Sequence, residues 1–68
     1  MITHEQAYKI LSKSPELCEI VKRLKILNEE MDINQINEVI NKMDLPLSKH
    51  LFLTANYHEL IKFDFTNI

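Results

Sequence analysis

The chain has no glycine and no tryptophan among its 68 residues. Dinucleotide fingerprints and P-loops need glycine where the backbone must approach phosphate, so nucleotide-binding enzymes of those kinds are excluded. Without glycine, left-handed helix ends fall to the next best residue, asparagine, and Asn28 and Asn56 are placed for that work. A single cysteine, Cys18, excludes an intrachain disulfide and with it a stapled secreted scaffold. Nowhere do about 18 apolar residues follow one another. Residues 1–13 hold neither a long apolar run nor a small-residue cleavage site. The expectation is a cytoplasmic protein that does not enter a membrane. Charge of neither sign dominates, with eight Lys/Arg against ten Asp/Glu and a net charge of -2. Residues 1–25 hold five basic against three acidic side chains, and residues 26–68 hold three against seven. Neither half is basic enough to make phosphate binding the default, so direct nucleic-acid binding is not expected.

What is present is helical patterning. Between Asp32 and Asp44 the apolar residues fall at Ile33, Ile36, Val39, Ile40 and Met43, on one side of a 3.6-residue helix. Asn37, Glu38, Asn41 and Lys42 turn to water. Asp32 and Gln35 have the spacing of a capping box, and Glu38 and Lys42 that of a stabilising ion pair. Thr3 and Gln6 repeat the capping box and Glu5 pairs with Lys9, which predicts a first helix over residues 4–13 with Ala7, Tyr8 and Leu11 inward and Ile10 adjoining. Ser14-Pro15-Glu16 starts a second helix: a hydroxyl cap, a proline where its missing N–H costs nothing, and an acid at the positive end of the dipole. Its seam is Leu17, Ile20, Leu24, Leu27 and Met31, widened by Val21, with Cys18 and Ile26 outside it. Lys22, Arg23 and Lys25 read as a solvated face, with Glu19 pairing to Arg23.

Asp44-Leu45-Pro46 is a break, because proline disfavours helix in the residue before it, and Ser48 can cap a new helix beyond it. From Ser48 to about Lys62 apolar residues surround the helical wheel, so this helix is either wholly buried or two-faced. The rival reading is a hairpin of Leu51–Thr54 against Ile61–Phe65, and the tail from Phe63 is open between helix and extended chain. The whole reads as one domain, residues 1–68, all-α, a small bundle of three to four short helices. A chain this short buries only about 60% of its unfolded surface, so oligomerisation or a partner is the expected help.

No constellation points to catalysis. His4, His50, His58 and Cys18 lack metal-clamping spacing, and Cys18 has no flanking nucleophile signature. Glu29, Glu30 and Asp32 cluster at a helix junction, where capping explains them. A non-enzyme without metal or cofactor is expected. The surplus apolar surface of the last helix carries the functional reading. If Leu51, Phe52 and Ala55 face helices two and three, then Leu53, Tyr57 and Leu60 form an opposite stripe with Lys49 and His50 at its margin. These five are the candidate protein interface, with Tyr57 its anchor. The alternative is that the stripe packs on the first helix through Ala7, Tyr8 and Leu11.

Ile33, Ile36, Val39-Ile40 and Lys42, then Leu47-Ser48, then Phe52, Thr54-Ala55, His58 and Leu60, match the pattern I-x-x-L-x-x-V-I-x-K, L-S and F-x-S-A-x-x-H-x-L, with a short gap after Ser48. This string, over roughly the last half of the chain, resembles the Hha/YmoA family of small helical modulators of bacterial gene expression. Arg23-Leu24-Lys25 is similar to that family's short basic run. The resemblance implies a protein that docks on the nucleoid protein H-NS and has no strong DNA affinity of its own. The family's two acidic contact positions correspond to Asn37 and Tyr57. Both charges are missing, which moves the expectation toward an H-NS-like or other helical partner. The leading expectation is therefore a non-enzymatic helical protein-binding module, modulating transcription or nucleoid proteins or inhibiting another bacterial or mobile-element protein, with a homodimer allowed. The alternative is a compact helix-turn-helix or winged DNA binder using residues 32–48, whose would-be recognition helix is poor in Arg and Lys.

Overall fold

The computed structural model describes residues 2–67. It is all-α: α1 (His4–Lys13), α2 (Pro15–Leu27), α3 (Ile33–Lys42), α4 (Leu47–Ala55) and the short α5 (Tyr57–Ile61), closed by a 3-10 turn over Phe65–Asn67. Among the described residues there is no strand, so the hairpin alternative is discarded. Residues 51–54 satisfy their backbone groups within α4 and leave no edge for residues 61–65 to pair with.

The starts of the first three helices obey the local chemistry. The Thr3 hydroxyl accepts from the Gln6 N–H at 3.1 Å while the Gln6 side chain accepts from the Thr3 N–H at 2.9 Å. Asp32 and Gln35 form the same reciprocal pair at 2.9 and 3.0 Å, and the Ser14 hydroxyl accepts from the Leu17 N–H at 3.3 Å. Each satisfies amides that the first helical turn leaves without partners. The fourth start differs from expectation. Pro46 holds the cap position at φ -53, ψ 147, α4 begins at Leu47, and no side chain caps it. Because proline's ring presets that φ, the helix starts one residue before Ser48 could cap it, and Ser48 falls inside the first turn.

The left-handed position also moves. Asn28 is right-handed (φ -60, ψ -20) and Asn56 sits at φ -117, ψ 19, whereas among the described residues Asp44 alone has positive φ, 51°. Helix α3 must reverse before Pro46, and Pro46 forbids helix at Leu45; the residue between Met43 and Leu45 takes the turn. Asn56 has a different task. It breaks the expected single last helix into α4 and α5, and its side-chain amide donates to the Phe52 carbonyl at 3.0 Å.

The core gathers Ala7 and Leu11 from α1, Leu17, Cys18, Val21 and Leu24 from α2, Ile36 and Ile40 from α3, Leu53 from α4, Tyr57 and Leu60 from α5, and Phe63 beyond it. On α2 the buried stripe is centred on Val21, which brings Cys18 inside and leaves Ile20, Leu27 and Met31 only partly covered. Cys18 is thus a core residue, a correction to its placement off the seam. Glu19 pairs with Lys22 at 3.7 Å instead of with Arg23, and Glu5 with Lys9 at 3.8 Å as expected.

Candidate functional site

The last third of the chain decides which surface is left for a partner. On α4, Leu47, Leu51 and Ala55 recur every fourth residue and, with Ser48, face outward, while Leu53 on the opposite side is 0% exposed. Leu47 keeps 72% and Leu51 53% of its surface in water. The two-faced character expected of this helix is present, but of the expected inward residues only Phe52 packs against the core, while Leu51 and Ala55 face water. Leu53, Tyr57 and Leu60 do share one stripe, and that stripe is core: Tyr57 is 5% and Leu60 2% exposed. The expected exposed interface at these three residues is corrected: the stripe packs inward, α5 chiefly against α2, so the alternative of packing on the first helix holds only in part, with Ala7 and Leu11 in the shared core and Tyr8 40% exposed.

The physical reason is bulk. Leu53, Tyr57, Leu60 and then Phe63 present four large apolar side chains along α4, α5 and the turn beyond, whereas the exposed face of α4 offers Leu47, Leu51, Ala55 and Ser48, its remaining large residue, Phe52, being partly buried on the core. Burying the larger apolar area removes more surface from water and wins. The sequence alone does not decide between the stripes, because Phe52 belongs to the expected inward set and also packs against the core. Around Tyr57 the packing is completed by a hydrogen bond from its hydroxyl to the Asn28 side-chain oxygen at 2.6 Å, which ties α5 to the end of α2. Burial pushes the Tyr57 phenol above its ordinary pKa, because the phenolate would lose water.

Lys49 and His50 do not frame an open site. The Lys49 ammonium lies 3.4 Å from the Glu16 carboxylate, joining α4 to the first turn of α2, and His50 is half-buried with its carbonyl accepting from the Thr54 hydroxyl at 3.1 Å. The other histidines are scattered as well. His4 stacks on Phe63 at 4.7 Å between ring centres, and His58 meets Tyr57 edge-on at 5.9 Å. Among the described residues no three His, Cys, Asp or Glu side chains are grouped to hold a metal ion, and no helix is long and apolar enough to cross a membrane.

Part of the basic cluster is occupied by the chain's own end. Lys25 donates to the Phe63 carbonyl at 2.7 Å, and the ammonium groups of Lys22 and Lys25 each stand 5.7 Å from the centre of the Phe65 ring. Phe65 in turn meets Phe63 edge-on at 5.0 Å. Aromatic faces attract cations, so α2 holds residues 63–65 as a strap. Beside it, Thr3, His4, Ala7, Glu59, Lys62 and Phe63 line an open recess of about 180 Å³ between α1 and α5. The recess has an apolar floor and mixed charge at its rim. Comparisons with known protein families, curated proteins and solved structures returned no match.

Every other long helix carries charge on its exposed face: Glu5, Lys9 and Lys13 on α1, Glu16, Glu19, Lys22, Arg23 and Lys25 on α2, Glu38 and Lys42 on α3. The fully exposed positions of α4 carry none. An uncharged, mostly apolar helix face on a protein this small is the surface most suited to a protein contact.

Proposed function

We propose that this chain is a small non-enzymatic helical protein-binding module that works by laying the outward face of α4 against another protein. The observation that carries this reading is the pair of exposed leucines, Leu47 and Leu51, on a helix face free of charge. Leaving both in water forgoes stabilisation of about 1.5–3 kcal/mol per fully buried leucine, a burden that a 68-residue domain has little margin to carry without return.

The resemblance to Hha/YmoA proteins supplies the context: modulation of transcription or of nucleoid proteins, or inhibition of another bacterial protein, by docking instead of by chemistry. The position that corresponds to one family contact residue, Tyr57, is buried and bonded to Asn28 here, while Asn37 is exposed and neutral. A partner that reads acidic side chains at those places would find neither. This favours a partner chosen by apolar complementarity, a helical segment with its own exposed leucines or aromatic residues. The same face is ill-suited to duplex DNA, since Leu47, Ser48, Leu51 and Ala55 give phosphates no cation and Lys49 is engaged by Glu16.

The test is affinity capture from the native host with the full chain as bait, and then titration of the purified partner. Leu51→Glu places a charge at the centre of the face without touching the core. The expected result is a partner whose binding weakens at least tenfold with Leu51→Glu, about 1.4 kcal/mol or more, and is unchanged by Ile26→Glu on α2. Equal binding by both variants would place the docking surface elsewhere.

A further inference from the structure

We propose that the strap formed by residues 63–65 is a displaceable internal stand-in for a partner segment: α2 presents, at Lys22 and Lys25, a second docking surface for a short peptide stretch that carries an aromatic ring beside carboxylates. This goes beyond the docking reading of α4 and does not depend on it, because another face and another chemistry are involved. The fold itself displays what the surface accepts. The ammonium groups of Lys22 and Lys25 each stand 5.7 Å from the centre of the Phe65 ring, and Lys25 also donates to the Phe63 carbonyl at 2.7 Å. The exposed Asp64 carboxylate, between the two aromatic residues, lies within electrostatic reach of Lys25. A ring and an anion set against two cations make a chemically specified contact, since the ring face attracts the ammonium groups and the acid supplies the opposite charge.

The strap is held firmly only at its root. Phe63 is 1% exposed and sits in the core, whereas Phe65 is half-buried and Asp64 and Thr66 are exposed. Among the described residues no hydrogen bond ties Asp64, Phe65 or Thr66 to α2; the side-chain bonds there run from Thr66 back to Asp64, within the strap. Swinging residues 64–66 away therefore breaks the contacts of the Phe65 ring and leaves the bundle closed. Segments with few buried apolar contacts open at the lowest cost in a fold. Opening uncovers Lys22 and Lys25, which are three residues apart and so share one face of α2. Lys25 keeps its bond to the root and still has donors to offer, because an ammonium carries more than one. An external segment of the same chemistry competes with the closed strap, and its apparent affinity falls in proportion to the fraction of chains that are open. A nucleic-acid strand also joins rings to anions, but Lys22 is shared with Glu19 at 3.7 Å and the chain carries a net charge of -2, which gives a polyphosphate little to gain.

The probe is the synthetic peptide Ac-Glu-Asp-Phe-Asp-Glu-amide, titrated into the isotope-labelled full chain and followed by NMR. The expected result is a saturable shift of the Lys22 and Lys25 signals together with loss of the Phe63–Phe65 ring contact. Phe65→Ala, which removes the internal competitor, should bind the peptide about tenfold more tightly than the wild type. Replacing both lysines by glutamine should abolish binding, and a peptide with alanine for phenylalanine should bind at least about tenfold more weakly. Dichroism checks that each variant is folded; if Phe65→Ala is not, the wild type decides, because binding there must break the ring contact. Equal affinity of wild type and folded Phe65→Ala overturns the proposal, as does binding with the ring contact intact or binding indifferent to the two lysines. An oligothymidylate that binds more tightly than the peptide also overturns it, in favour of a nucleic-acid strand. Leu51 takes no part in any of these measurements, so their failure leaves the α4 reading to be judged by its own capture experiment.

Discussion

Tyr57 shows how one side chain divides its contribution between packing and polarity. Its hydroxyl bond to Asn28 is worth about 0.5–1.5 kcal/mol net, whereas deleting a buried aromatic ring costs about 3–5 kcal/mol. Packing therefore dominates. A domain of this size holds only about 0.05–0.15 kcal/mol per residue of net stability, so the loss of the ring takes at least about a third of it. Tyr57→Ala is expected to lower the melting temperature steeply, while Tyr57→Phe stays folded with a modestly lower melting temperature; thermal denaturation monitored by dichroism checks both. A Tyr57→Ala protein that melts like the wild type would return Tyr57 to the surface and reinstate it as an interface anchor.

At the scale of elements, the ends of helices are where local rules meet tertiary demands. Asp44 accepts a left-handed conformation that a side chain with Cβ resists, and short polar residues tolerate it at a reduced cost. Glycine there removes the steric cost but adds freedom to the unfolded chain. The steric relief is the larger effect, and Asp44→Gly should stabilise the protein by about 0.5–1 kcal/mol, read as a shift in the urea midpoint at unchanged slope. The terminal strap carries the pH-sensitive element. Hydrogen bonds from the Thr66 backbone N–H at 3.0 Å, and next from its hydroxyl at 2.8 Å, hold the Asp64 carboxyl below the ordinary carboxylate range against the opposing effect of desolvation, with the charges of Lys25 and His4 adding to the lowering. A carboxyl whose folded pKa is depressed contributes its stability above the unfolded value of about 3.9 and loses it as pH falls through the lower folded value. Acidification through that window should release the Thr66 amide before the core opens, with faster hydrogen exchange at residue 66 and no change at Leu24 or Ile40. An Asp64→Ala variant, which has no acceptor for either Thr66 bond, should show that faster exchange already at neutral pH.

For the whole molecule the decisive fact is that the four largest contributions of the C-terminal third, Leu53, Tyr57, Leu60 and Phe63, all lie in the one core shared with α1, α2 and α3. Removing them strips α2 of its α5 cover and α3 of its α4 cover, leaving α1 on α2 as the main remaining helix pair. A fragment of residues 1–45 is expected to be unfolded, since isolated helices of this length are marginal in water and depend on tertiary packing. A cooperative thermal transition in that fragment would show a core that does not need α4 and α5.

The residues by themselves determined the three capped helix starts and the break before Pro46, and favoured the all-α class. Each arises from interactions within about one helical turn, which the order of residues specifies directly. They did not determine which face of α4 turns inward, that Cys18 belongs to the core, that Asp44 takes the left-handed turn, or that Lys22, Lys25 and Lys49 are engaged by the strap and by Glu16. Those outcomes depend on which helices meet. A periodic pattern says that two side chains share a face but not what the face is set against. Only the closed bundle compares the apolar bulk of the two stripes, buries Leu53, Tyr57, Leu60 and Phe63 together, and leaves Leu47 and Leu51 in water, because one small core has room for a single face of its last helix.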